Sequence, residues 1–279
     1  RGEIVRISKL EPALNRANNS PYRQMKVHIE PLETGEVDMI IGVEDRAPVR
    51  LAASYDNTGN EITGENRYSA SLGYGNLWGR DHQLTYSFIT TDDLSLFRAH
   101  AMEYRVPLPW RHLFSVSGIY VQLNPTFLEF FQQNAVSVNA DAKYVVPLKF
   151  KKWLGEATGT VAFKQTNNNL EFSGIAVEGV GATTDTLTAN LSFAAMREDK
   201  RGRWILSTGL TASPGEFNSR STRAIYNDTR LDANPFFVTW QIGAQRITRL
   251  TPTLTSTIRT GFQLASANLM PSEQFSLGG

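Results

Sequence analysis

The chain has 279 residues, no Cys, 20% charged and 10% aromatic residues, and a formal net charge of +1. So even a balance argues against a polyanion partner, which sets nucleic acid aside, and the lack of Cys excludes a disulfide scaffold, a Cys-ligated zinc site and a thiol nucleophile. No stretch approaches the roughly 18 apolar residues that a membrane helix requires, so any span must be made of strands.

The first 46 residues read differently from the rest. Their start, Arg1-Gly2-Glu3-Ile4, does not resemble a signal peptide, so an exported protein is not expected to begin there. A helix is predicted over Ser8 to Ala17, with Leu10 and Leu14 one turn apart. Met25 to Glu30 then alternates Met25, Val27 and Ile29 with polar partners. Val37 to Val43 answers it across the turn-like link Glu33-Thr34-Gly35-Glu36. Residues 1–46 are expected to be the tail of a small α/β module.

From Pro48 onward the helix signal disappears, and alternating segments follow one another between runs rich in Gly, Asn, Asp and Pro. In Arg67 to Tyr74, one face is Tyr68, Ala70, Leu72 and Tyr74, and the other is Arg67, Ser69, Ser71 and Gly73. Asp185 to Phe193, Phe236 to Gln245 and Leu254 to Leu264 repeat the separation. The polar sets are small side chains and amides with an occasional Arg or Glu, as a wet barrel interior needs. About eleven such segments are counted, near 48–56, 66–75, 82–90, 97–107, 111–122, 132–147, 156–166, 185–197, 202–212, 235–248 and 254–267.

A soluble β-sandwich gives the same alternation. Against it, Tyr55, Tyr74, Trp78, Phe97, Trp110, Trp153, Trp204 and Phe236 recur at segment ends, where an interfacial girdle would sit. Tight joins (Pro107 to Arg111, Lys149 to Lys152) alternate with long polar ones (Thr166 to Thr184, Gly215 to Asn234), the asymmetry of short periplasmic turns and long outer loops.

No catalytic constellation emerges. His28, His82, His100 and His112 stand too far apart for a metal pair at i, i+4 spacing. Asp81-His82 lacks a Ser in a strand-turn-helix elbow, and the G-x-G in Gly73 to Gly79 precedes a strand, so it reads as a strand end and tight turn. Asp92-Asp93 and Glu198-Asp199-Lys200-Arg201 read as solvated turns.

Several segments resemble one family, the two-partner-secretion transporters (TpsB), a branch of the POTRA-plus-barrel outer-membrane assembly superfamily. Val43-Glu44-Asp45-Arg46-Ala47-Pro48 resembles its exit from the last POTRA domain, and Ala53-Ser54-Tyr55-Asp56-Asn57-Thr58-Gly59 its first strand. Gly75-Asn76-Leu77-Trp78-Gly79-Arg80-Asp81-His82-Gln83-Leu84 is similar to the stretch around its second and third strands. Tyr104-Arg105-Val106-Pro107-Leu108-Pro109-Trp110-Arg111-His112 is similar to its turn between strands four and five. Pro271-Ser272-Glu273-Gln274-Phe275-Ser276-Leu277-Gly278-Gly279 resembles the run into its sixth outer loop.

The resemblance implies a mainly β fold in which residues 47–279 form an antiparallel transmembrane β-barrel, with about eleven of an expected sixteen strands present. The barrel is cut at the start of the sixth outer loop, and the C-terminal part of a periplasmic POTRA domain in residues 1–46 precedes it. The V-R-G-Y-type tip of that loop is expected to lie beyond Gly279, and the chain is read as a fragment unable to close alone. The implied protein lies in the bacterial outer membrane and secretes an unfolded exoprotein of the adhesin or haemolysin type without nucleotide. Its partners are that client and outer-membrane lipid, and no cofactor, metal or catalytic residue is implied.

POTRA domains hold extended clients by strand addition. The expected edge is Met25 to Glu30, offering Lys26, Val27, His28 and Ile29. Inward Arg67, Glu103, Arg105, Arg259 and Gln263 are candidates to line the conduit, with wall-stabilising ion pairs as their alternative role. A barrel-assembly insertase, a diffusion porin and a soluble β-sandwich binding module remain open.

Overall fold

The computed structural model describes residues 10, 14, 18, 22–32, 36–61, 63–128, 131–172, 175–176 and 182–275. Most of the helix expected over Ser8 to Ala17 lies outside them, as do the link 33–35 and residues 276–279, while Leu10 and Leu14 themselves are helical. Strands β1 (Arg23–Pro31) and β2 (Val37–Asp45) pair antiparallel, with Val27 opposite Ile41 and Ile29 opposite Met39.

The remaining strands form one antiparallel sheet. They are β3 (Val49–Asp56), β4 (Arg67–Leu77), β5 (His82–Thr90), β6 (Phe97–Pro107), β7 (Leu113–Leu123), β8 (Thr126–Leu128), β9 (Phe131–Phe150) and β10 (Trp153–Phe172). After them come β11 (Ile175–Ala176), β12 (Thr184–Asp199), β13 (Gly202–Pro214), β14 (Phe236–Arg249) and β15 (Thr255–Ala265). Spatial order runs β15-β14-β13-β12-β10-β9-β7-β6-β5-β4-β3, with β8 and β11 as short ribbons on β9 and β10. Eleven strands thus pair in sequence order as an open wall in which β3 and β15 are the edges, and each expected segment matches one of them.

Burial along these strands is inverted relative to a soluble sheet. In β4 the apolar set Tyr68, Ala70, Leu72 and Tyr74 is exposed, while Arg67, Ser69, Ser71 and Gly73 are half-buried. Leu51 is 75% exposed and Leu191 66%, whereas Thr186, Ser213 and Thr239 are buried. Water would make such an outer face prohibitive, since each fully exposed Leu forgoes about 1.5–3 kcal/mol of burial; hydrocarbon removes that cost. The apolar face is the lipid face and the polar face looks inward.

Connections have two lengths. At one end tight turns join β4 to β5, β6 to β7, β9 to β10, β12 to β13 and β14 to β15. The first three turn through Trp78, Arg111 and Lys151, all at positive φ of 55°, 72° and 52°. The N-terminal module sits at this end, where Arg23 Nη1 approaches Asp81 Oδ1 at 3.6 Å.

Longer links occupy the other end, and one corrects the sequence reading. Within the stretch taken as an irregular outer loop, residues Arg223–Thr229 form helix α1, capped by Thr222, whose hydroxyl accepts from Ile225 N at 3.4 Å. Two helical turns are too few for periodicity to show in the sequence. The β9–β10 hairpin also runs past the expected bounds, with twenty residues in each strand.

Candidate functional site

All five conduit candidates fall on the inward face, because their cross-strand partners belong to the polar set: Glu103 faces Thr85 and Ser117, Arg105 faces Gln83 and Ser115, and Arg259 faces Gln245. What each does there differs. Arg67 closes its own loop, donating through Nη1 to the Gly64 carbonyl at 2.7 Å and through Nη2 to Thr63 Oγ1 at 2.7 Å, and its guanidinium lies 4.8 Å from the Phe97 ring centroid. Arg105 Nη2 donates to Glu103 Oε1 at 3.0 Å, two residues along the same strand face. Arg259 is exposed on the inner surface.

Gln263 has a role that its sequence position did not announce. Its Nε2 donates to the Glu273 carbonyl at 3.2 Å, so the segment after β15 turns back along the inner face of β15. Further along the same face the Phe275 ring lies against Gly261, where an added β carbon would stand 2.6 Å from Cζ. Glu273 Oε1 then accepts from Lys164 Nζ of β10 at 2.6 Å, with both side chains mostly shielded. The short 3₁₀ turn Pro271–Glu273 therefore crosses the concave side of the wall.

The link holding α1 folds into the same region. Asp185 is fully buried and accepts from Gln165 Nε2 at 2.8 Å, Asn218 Nδ2 at 2.7 Å and Arg220 Nε at 3.0 Å. Three donors, one of them charged, meet the desolvation cost of that carboxylate. Tyr226 of α1, also buried, spends its hydroxyl proton on the Asp185 carbonyl at 2.9 Å, so the Thr186 hydroxyl must donate to it at 2.5 Å. Burial pushes the Tyr226 phenol above its ordinary pKa.

Tyr226 clusters with Ala233 and Met270, and Asn234 N donates to the Asn268 carbonyl at 3.0 Å, so the two links form one cover over the inner face at the end of the wall that carries the long links. Neither Lys164 nor Asp185 was singled out in the sequence, where each is one more residue in an alternating strand.

At the turn end, the Tyr22 ring lies on the inner face of β4. A β carbon on Gly75 would stand 2.0 Å from its Cε2, so only glycine permits this contact. Arg23 Nε donates to Asp45 Oδ1 at 2.8 Å, which ties β1 to the end of β2 beside the joint and raises the Arg23 pKa. On β1, Lys26 and His28 are exposed, Val27 is half-buried and Ile29 is 39% exposed. Their strand pairs with β2 on one side, and no second strand pairs with it among the described residues.

The rejected motifs have structural employment. His82 Nδ1 lies 2.6 Å from Tyr104 Oη rather than against a serine, while Asp81 faces Arg23. In the β5–β6 turn the Ser95 hydroxyl and amide hold Asp93 below the usual carboxylate range. Among the described residues no three His, Cys, Asp or Glu side chains converge for a metal ion.

A family model for haemolysin secretion/activation proteins (ShlB/FhaC/HecB) matches residues 35–279. No curated protein matches by sequence. Among solved structures, CdiB from Escherichia coli is similar with a TM-score of 0.80 at 17% identity, covering 100% of this chain and 52% of that one. CdiB from Acinetobacter baumannii gives 0.58 at 16%, covering 100% and 50%. BamA from Haemophilus ducreyi lacking POTRA domains 1–3 gives 0.58 at 11%, covering 100% and 54%. The chain thus spans about half the length of these structures and shares their fold. An inverted antiparallel wall of eleven strands is that of an outer-membrane β-barrel, and the chain belongs to the haemolysin secretion/activation family of two-partner-secretion transporters.

Proposed function

We propose that the whole protein passes an unfolded exoprotein of the adhesin or haemolysin type from the periplasm to the cell surface, with residues 1–46 as the end of a POTRA domain that receives it. The observation that carries this reading is the polar inner face of the wall, covered near its outer mouth by side-chain contacts and isolated main-chain bonds rather than by continuous sheet. Such a cover can release without unfolding the wall. Arg259 and the Glu103–Arg105 pair face the path a client would take.

The module supports the first step. β1 presents Lys26, Val27, His28 and Ile29 on a strand paired along one side. Main-chain hydrogen bonds along the other side would hold an extended client without demanding a particular sequence. Proline removes a donor from such an edge.

The test is secretion by the full-length protein in cells that make its exoprotein. Val27→Pro and His28→Pro are each expected to leave the barrel at normal level in the outer membrane while the client accumulates in the periplasm. Undiminished secretion would sink the edge-strand reading. If loss of the transporter instead depleted unrelated outer-membrane barrels, or changed only small-solute uptake, an insertase or a porin would replace it.

A further inference from the structure

Across the lipid face at the turn end, the register lines up Trp153 of β10, Arg197 of β12, Trp204 of β13 and Arg246 of β14 in one row. All four belong to the outward set, as the pairing of Leu191 with Gly159 and Leu210 along the same strands requires. Each guanidinium lies over an indole, Arg197 at 5.9 Å from the Trp153 centroid and Arg246 at 5.0 Å from that of Trp204. These cation–π contacts hold both cations beside their indoles at the depth where hydrocarbon gives way to headgroups.

The two arginines differ in charge balance. Arg246 is neutralised by a two-pronged pair with Asp199, Nη1 to Oδ2 at 2.7 Å and Nη2 to Oδ1 at 3.0 Å. Arg197 has no such carboxylate among the described residues, and its Nε is shut off from solvent with no acceptor. The adjacent acidic residue, Glu198, pairs across the strands with Arg203 and points to the inner face. Exposed Lys151, Lys152, Lys200 and Arg201 occupy the two turns that flank the row.

A half-buried, unneutralised cation at this depth is costly unless the membrane supplies the counter-charge. We propose that Arg197, stacked on Trp153 and flanked by Lys151 and Lys152, is a binding site for the phosphate of an anionic phospholipid in the periplasmic leaflet. Guanidinium geometry suits the phosphate, the turn lysines add charge from the aqueous side, and the apolar strands above accept acyl chains. Lipid seated there ties the β9–β10 hairpin to the β12–β13 hairpin. The proposal rests on the chain being an outer-membrane barrel and not on which cargo passes through it.

The test uses the full-length protein in mild detergent, read by native mass spectrometry while phosphatidylglycerol or phosphatidylcholine is titrated in. Phosphatidylglycerol is expected to be retained in preference. Arg197→Gln is expected to reduce its adducts at least about fivefold, as the loss of one charge-assisted hydrogen bond predicts, while Arg197→Lys keeps part of them. Arg80→Gln, at a more distant turn, should leave them unchanged. If Arg197→Gln does not fold, Lys151→Gln with Lys152→Gln gives the same reading with the row intact. Equal retention of the two lipids, unchanged adducts in the variants, or displacement by millimolar inorganic phosphate each overturn the proposal, the last by assigning the site to soluble anions.

Discussion

Lys164 Nζ and Glu273 Oε1 lie 2.6 Å apart, joining the inner face of β10 to a segment 109 residues further along the chain. A pair so shielded is worth more than a surface ion pair, because the lost partner leaves a charge in a poorly solvated place. Lys164→Ala and Glu273→Ala are each expected to raise protease access to residues 266–275 in the full-length protein. The exchange Lys164→Glu with Glu273→Lys should restore protection. A double-mutant cycle by urea unfolding is expected to give a coupling of about 1–3 kcal/mol, and zero coupling would show that the segment is seated without this pair, by Gln263, Phe275 and the Met270 and Asn268 contacts to the α1 link.

Asp185 holds the α1 link through three side-chain donors. Asp185→Ala strands those donors, but the Arg220 side chain is 52% exposed and returns to water, so the local cost should be roughly 1–3 kcal/mol. Trypsin cleavage after Arg220 and Arg223 is expected to accelerate by more than about tenfold, with barrel heat-modifiability retained on gels.

Tyr226 adds a pH dependence to the same cover. Burial raises its pKa, so the folded cover holds the phenolic proton more tightly than the unfolded link does. Its stabilisation is therefore complete below the unfolded value of about 10 and lost as pH rises through the higher folded one. Protease access to the α1 link is expected to climb in that alkaline window, and Tyr226→Phe should abolish the step.

The joint at the turn end gives a steric prediction. Gly75→Ala places a methyl group 2.0 Å from the Tyr22 ring, so the module must shift from β4. Overpacking of this kind costs about 1–3 kcal/mol. Tyr22→Ala combined with Gly75→Ala should recover thermal stability, measured by the temperature at which the band shifts on semi-native gels. Failure to recover would place the strain in the β-bulge between Gly75 and Leu77 instead.

Period-two alternation and turn residues determined eleven strands and which joins are tight, while the outward placing of the apolar set was decided by the paired sheet, because a soluble sandwich alternates in the same way. The strands and joins follow from side chains within a few residues of one another: Tyr68, Ala70, Leu72 and Tyr74 share a face whatever the rest of the chain does. Arg67, Glu103, Arg105, Arg259 and Gln263 were placed on the polar face by the same local rule. Glu103 and Arg105 form an ion pair, the alternative role considered for this set, but the work of Arg67 and Gln263 was not legible, because Arg67 turned to its own loop and Gln263 to Glu273. The cover was invisible for a related reason: α1 has seven residues, and Asp185 meets Asn218 and Arg220 across more than thirty positions. Curvature of the sheet brings β10 and the segment after β15 together, and nothing in either sequence stretch encodes that meeting by itself. The Trp153–Arg197–Trp204–Arg246 row is likewise set by strand register, which only the paired sheet fixes.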